Sequence, residues 1–202
     1  MRKVKVAENA GFCFGVSLAA DKVEAALEKN EGVRLFTLGH LIHNAVYNER
    51  LERHGVRSVK LEEVEEIAAA ATEASPCRLF IRAHGIPKDV QTELTRLQKE
   101  NRYFSFEDCT CPLVKKIHRI AEEHSSKDHM FILFGDETHP EVIGIMSYFD
   151  GEKYVFDSPE SFFAAVENGD LCNLNNKTPI FALQTTYNLS KWKKTQKFIK
   201  KL

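Results

Sequence analysis

Short apolar runs alternate with stretches of helical period along nearly the whole of this chain, and that alternation limits the fold more than any other feature. Segments 33–38 (VRLFTL), 78–83 (RLFIRA), 103–106 (YFSF), 129–134 (HMFILF), 153–156 (KYVF) and 179–184 (PIFALQ) read as strands, as does VKVA at 4–7. Apolar runs this short, bounded by turn residues, suit strands better than helices. Between them, Val16, Ala20, Val23 and Leu27 recur at helical spacing, and helices are expected across 43–54, 62–74, 87–100, 112–124 and 140–149. Pro87 and Pro112 stand at first-turn positions, Ser158-Pro159 reads as a cap followed by a first-turn proline, and Asn188 can cap a last helix. Seven strands alternating with helices predict an α/β protein with mainly parallel sheets, arranged as two tandem small lobes. A cut near 110 separates a first α/β lobe, 1–110, from a second, 111–202.

The 202 residues, 43% of them apolar, suffice for that much core. Twenty-eight basic and 29 acidic residues leave a net charge of −1. That balance lacks the basic excess with which proteins usually hold nucleic acid or a membrane surface. No apolar run approaches the ~18 residues of a membrane span. The opening MRKVKVAENAGFCFG alternates instead of placing a charged segment before a long apolar core, so no export signal is read there and a cytoplasmic location is expected. In that compartment the five cysteines (13, 77, 109, 111 and 172) are expected to be thiols or metal ligands, and their odd number suits a disulfide framework poorly. Neither a phosphate loop, nor a GxGxxG fingerprint, nor a C-x-x-C pair is present. Nucleotide hydrolysis, dinucleotide binding and ribbon-type zinc sites therefore lack support.

Ligands of parallel sheets gather at the carboxyl ends of the strands. Cys13 follows the stretch 4–7, His84 follows 78–83, Cys111 follows 103–106, His139 follows 129–134 and Thr185 follows 179–184. In Gly11-Phe12-Cys13-Phe14-Gly15 the flanking glycines allow a sharp turn and close approach, so Cys13 is either a ligand or a buried cysteine in a glycine bend. Asp108-Cys109-Thr110-Cys111-Pro112 opens a helix, whose N–H donors favour thiolate, the form that binds metal. Cys111, beside Pro112 at the helix start, is the favoured ligand and Cys109 the buried filler. His43, His84 and His139 are each structural or binding when taken singly. On three strand-end loops they form a candidate site for an anionic substrate. Glu141 is either a proton donor or a first-turn glutamate set against the helix dipole. Gln184-Thr185-Thr186 offers hydroxyls to a phosphate or a water. The remaining histidines, His40, His54, His118, His124 and His129, read mostly as solvated or capping residues.

Taken jointly, GFCFGV (11–16), HLIHN (40–44), AHGIP (83–87), DCTCPLV (108–114), HPEVIG (139–144) and QTT (184–186) give the chain its resemblance to the 4-hydroxy-3-methylbut-2-enyl diphosphate reductase family. The resemblance spans nearly all the residues. It implies that Cys13 and Cys111 are two of three cysteine ligands to a 4Fe-4S cluster with one iron left open. It further implies that His43, His84 and His139 surround an allylic diphosphate, that Glu141 supplies or relays protons, and that Thr185 orders the substrate hydroxyl or a water. The implied reaction is a two-electron reductive dehydroxylation yielding isopentenyl and dimethylallyl diphosphates, with electrons from ferredoxin or flavodoxin. Two departures stand out. Cys109 takes a position where the family commonly has alanine. Family members also run further, into a third lobe that carries the third cysteine and a Ser-x-Asn segment. The expectation is therefore a family fold lacking one of three lobes, with the stretch 1–13 belonging either to the first lobe or to the missing one. Cys77 and Cys172 lie in unrelated contexts and are not expected to supply the third thiolate. The competing readings are a non-catalytic truncated remnant that binds diphosphate or metal, and a zinc hydrolase, for which no closed ligand set is visible.

Overall fold

The computed structural model describes residues 3–5, 7, 10–29 and 31–201, and their contacts divide them into two units. The first holds the residues up to Ala83 together with Asn101–Cys111, and the second holds His84–Glu100 together with the residues from Pro112 onward. Where the sequence suggests one cut at 110, the contacts give residues 84–100 to the second unit.

The first unit contains α1 (Phe14–Lys29), β1 (Arg34–Leu38), α2 (Ala45–Arg53), β2 (Val56–Val59), α3 (Leu61–Ala69), β3 (Cys77–Ile81) and β4 (Phe104–Asp108). Its four strands pair in parallel in the order β2-β1-β3-β4. The chain winds outward from β1 to β2 and then crosses back to β3, so the topological switch point lies between β1 and β3. Ala19, Ala20 and Val23 of α1 pack with Leu35, Phe80, Tyr47 and Leu51 in one apolar cluster. Burying each of the larger of these side chains contributes about 1.5–3 kcal/mol. Asn44 caps α2, its side chain accepting from the Tyr47 N–H at 3.0 Å.

The second unit contains α4 (Lys88–Glu100), α5 (Pro112–Glu123), β5 (His129–Phe134), α6 (Pro140–Ser147), β6 (Glu152–Phe156), α7 (Pro159–Glu167), β7 (Thr178–Leu183) and α8 (Leu189–Ile199). Its strands pair in parallel in the order β6-β5-β7, which puts the switch point between β5 and β7. The run HMFILF lacks alternation because β5 is covered on both faces. Phe131 and Leu133 face Val142, Ile145 and Phe149, whereas Met130, Ile132 and Phe134 face Phe162 and Leu171. Ser158 and Asn188 cap α7 and α8 as their positions suggest.

Three expectations are corrected. The strand at 4–7 is not formed by Val4, Lys5 or Ala7, while Val6 lies outside the described residues. Val4 is 85% exposed, and among the described residues this stretch has no ladder partner to hold it extended. The seventh strand is instead β2, whose VRSV core buries only Val56 and Val59 at the edge of the sheet. The helix expected across 62–74 stops at Ala69, where the Asn101 side chain donates to Ala68 O and Ala71 O.

Candidate functional site

Each unit gathers unusual side chains at the carboxyl end of its sheet. In the first unit a backbone relay ties three strand ends together. The Cys111 N–H donates to Ala83 O at 2.9 Å, and the Ala83 N–H donates to Leu41 O at 3.3 Å. Leu41 follows β1, Ala83 follows β3 and Cys111 follows β4, so the relay straddles the switch point. It also anchors the loop that carries His43, which is itself exposed.

The Gly11–Gly15 turn closes on the same place. A Cβ built on Gly15 would fall on the Cys111 Sγ, with the Cys111 Cβ also only 2.9 Å away. Only a residue without a side chain lets the thiol lie against the first turn of α1. Phe12 meets the Tyr47 ring edge-on with centroids 5.5 Å apart, which fixes the turn against α2. Farther along α1, Lys22 donates to Asp108 O at 3.1 Å and pairs with Glu107 at 3.2 Å. The segments carrying Cys13 and Cys111 thus come together, with Cys13 exposed and Cys111 half-buried. Cys13 does not follow a strand as the sequence suggested. It immediately precedes a helix.

The other cysteines read differently. Cys109 is fully buried in the apolar cluster of the first unit. Cys77 is 1% exposed, and burial pushes its thiol above the ordinary range while Arg34 opposes that rise. A buried, protonated thiol is a poor ligand. Cys172 is exposed in the connection between α7 and β7, and none of the five is disulfide-bonded.

In the second unit side chains bond to one another. Glu141, only 2% exposed in the first turn of α6, accepts the Thr185 N–H on Oε1 at 2.6 Å and the Thr185 O–H on Oε2 at 2.8 Å. Thr185 follows β7 and Glu141 follows β5, so this bidentate link closes the switch point of the second sheet. His139 caps α6, its Nδ1 accepting the Glu141 N–H at 3.1 Å. With Nδ1 used as an acceptor, Nε2 is the ring nitrogen that can donate. The His84 and His139 rings meet edge-on with centroids 5.4 Å apart. Two histidines, a buried carboxylate and a hydroxyl therefore converge, a set able to bind an anion and pass a proton.

Several supporting contacts were not readable from the sequence. Gln184 Oε1 accepts the Asp136 N–H at 2.9 Å, and a Cβ on Gly135 would come within 2.8 Å of that same oxygen. Asp136 in turn accepts from the Thr138 N–H and O–H, and the Thr138 hydroxyl holds its carboxyl below the usual range. The Asp-x-Thr spacing before His139 is a readable turn signature. His118 is no solvated residue. It is buried and stacked on Tyr148 at 4.3 Å.

Comparison with known proteins adds to this geometry. A family model described as LytB protein matches residues 4–202. A 4-hydroxy-3-methylbut-2-enyl diphosphate reductase of Caldanaerobacter subterraneus subsp. tengcongensis is 38% identical over 158 residues, covering 78% of this chain and 51% of the relative. One from Wolinella succinogenes is 40% identical over 163 residues, covering 81% of this chain and 52% of its own. Among solved structures, that of (E)-4-hydroxy-3-methyl-but-2-enyl diphosphate reductase, described as the terminal enzyme of the non-mevalonate pathway, superposes with a TM-score of 0.73 at 29% identity. It covers 98% of this chain and 63% of that one. The reductase structure from Plasmodium falciparum has the same fold, with a TM-score of 0.75 at 24% identity over 96% of this chain and 55% of that one. The chain thus spans about half the length of the curated relatives named here.

Proposed function

Because the chain belongs to the LytB protein family, we propose that it serves the reductive dehydroxylation of 4-hydroxy-3-methylbut-2-enyl diphosphate to isopentenyl and dimethylallyl diphosphates in isoprenoid biosynthesis. The observation that carries this reading is the contact of Cys111 with Gly15, two residues from Cys13. It gives a cradle that a single methyl group would fill, between two segments that each offer a thiol. That donor set fits an iron–sulfur cluster. Cys13 and Cys111 would hold a 4Fe-4S cluster, with a third thiolate from outside these 202 residues. When bound, such a cluster supplies electrons and Lewis acidity toward a leaving hydroxyl.

The protein's own groups do the rest. Replacing C–OH by C–H and releasing water consumes two electrons and two protons. Glu141 is the proton carrier, and the Thr185 hydroxyl holds Oε2 in place for it. His139 offers Nε2–H, and with His84 and His43 it neutralises the substrate's diphosphate and hydroxyl ends. Electrons come singly from a ferredoxin or flavodoxin, in the cytoplasm. No helix among the described residues is long and apolar enough to cross a membrane.

The test is anaerobic reconstitution with iron and sulfide, followed by assay of both elements and of allylic diphosphate reduction. Iron and sulfide held in near-equal amounts, and lost in Cys13→Ser and Cys111→Ser, are the expected result. Zinc retained in preference to iron, or iron uptake indifferent to both substitutions, overturns the reading.

A further inference from the structure

The amino-terminal edge of the first sheet carries a basic cavity that the reductase reading leaves unused. Three adjacent strands each place an arginine first or second: Arg34 on β1, Arg57 on β2 and Arg78 on β3. All three line one cavity of about 370 Å³, together with His54 at the end of α2. That volume falls in the range of small-molecule sites. Because the strands are parallel, this edge is opposite the one that carries Cys111 and the His43 loop.

The arginines are held in place for a ligand. The guanidinium carbons of Arg34 and Arg57 lie 5.9 and 5.3 Å from the centre of the Phe36 ring. An aromatic face fixes the guanidinium plane and leaves its N–H edge to bind. Arg57 is occupied by Glu63 at 3.2 Å, whereas Arg34 spends one N–H on Ala70 O. Arg78 is half-buried, and among the described residues its guanidinium has no ion pair or hydrogen bond. Glu31 is the one acidic residue of the lining. A half-buried cation without a counter-ion is a cost that a bound anion removes. The wall beside it is apolar, from Leu27 in the last turn of α1 and Val33 before β1.

We propose that this cavity binds a small organic phosphate, with the phosphate monoester on Arg34 and Arg78 and the organic part against Leu27 and Val33. The proposal does not rest on the reductase reading. It is tested by calorimetric titration of the 202-residue chain with adenosine 5′-monophosphate and, separately, inorganic phosphate. The nucleotide is expected to bind more tightly than phosphate. Affinity should fall at least about tenfold in Arg78→Gln, vanish in the Arg34→Gln/Arg78→Gln double variant, and stay unchanged in His139→Ala. No binding at millimolar concentration, equal affinity for the two probes, or loss in His139→Ala but not in Arg78→Gln overturns it. Should Arg78→Gln lower the urea midpoint, Arg78→Lys decides. Recovered affinity supports the site, and unrecovered affinity overturns it.

Discussion

In the first unit the unusual side chains are placed by backbone and by vacancy, and in the second they are placed by one another. Cys111 is set by its own N–H on Ala83 O and by the missing side chain of Gly15. Glu141 is set by both donors of Thr185, and His139 by the Glu141 N–H. The two kinds of chemistry explain the two designs. On the proposed reading Cys111 has to keep its sulfur accessible to a metal, and a position set by the main chain and by space leaves it so. A group that must bind an anion or move a proton needs a fixed tautomer and a fixed orientation, and hydrogen bonds supply both.

The contrast can be broken at Gly15. Gly15→Val puts branched carbon where the Cys111 Sγ lies, so iron uptake should be abolished and stability lowered by about 1–3 kcal/mol in urea unfolding. Retention of iron by this variant would mean that space does not position the thiol. In the second unit the largest effect is expected at the carboxylate. Glu141→Gln should lower turnover by about 10²-fold or more with iron content unchanged, a separation seen by assaying metal and rate on one sample. Thr185→Val is a smaller step. It leaves Oε2 of a 2%-exposed carboxylate without its hydroxyl donor and should cost about 1–3 kcal/mol of stability, together with part of the rate.

The smallest effect lies away from both clusters. Lys177, 2.8 Å from Glu152, holds that carboxyl below its usual range, helped by Tyr154 and Asn173. A depressed pKa contributes stability above the ordinary carboxylate range, and the contribution is lost as pH falls through the native value. Acid titration of the urea midpoint should therefore show a loss of less than about 1 kcal/mol below pH ~4, absent in Glu152→Gln.

Much of this architecture is legible in the residues themselves. HMFILF is apolar because a central parallel strand is buried on both faces, and Ser158 and Asn188 announce their helices because a cap must accept N–H bonds. β2 escaped because a four-residue edge strand gives little pattern to read, and VRSV offers only two apolar residues, one at each end. The stretch 4–7 misled for the converse reason. Alternation reports a willingness to be extended, whereas a strand also requires a neighbour. The candidate site residues were visible singly, most of them as outliers after strands. Their partnerships were not, because Glu141 meets Thr185 across 44 residues through the pairing of β5 with β7, and Gly15 meets Cys111 only once α1 has docked.

The assignment of α4 to the second unit bears on how the protein is made. The chain leaves the first unit at Ala83, builds a helix whose Lys88 N–H will bond Ser147 Oγ, and only then returns to lay down β4 and Cys111. On the ribosome that helix emerges well before the residues it will pack on. The cysteine-bearing edge of the first sheet is therefore laid down while α4 still lacks the rest of its own unit. A nascent chain that has emerged as far as 111 would have all four strands of its first sheet and one helix without the residues it packs on, a stage open to misassembly.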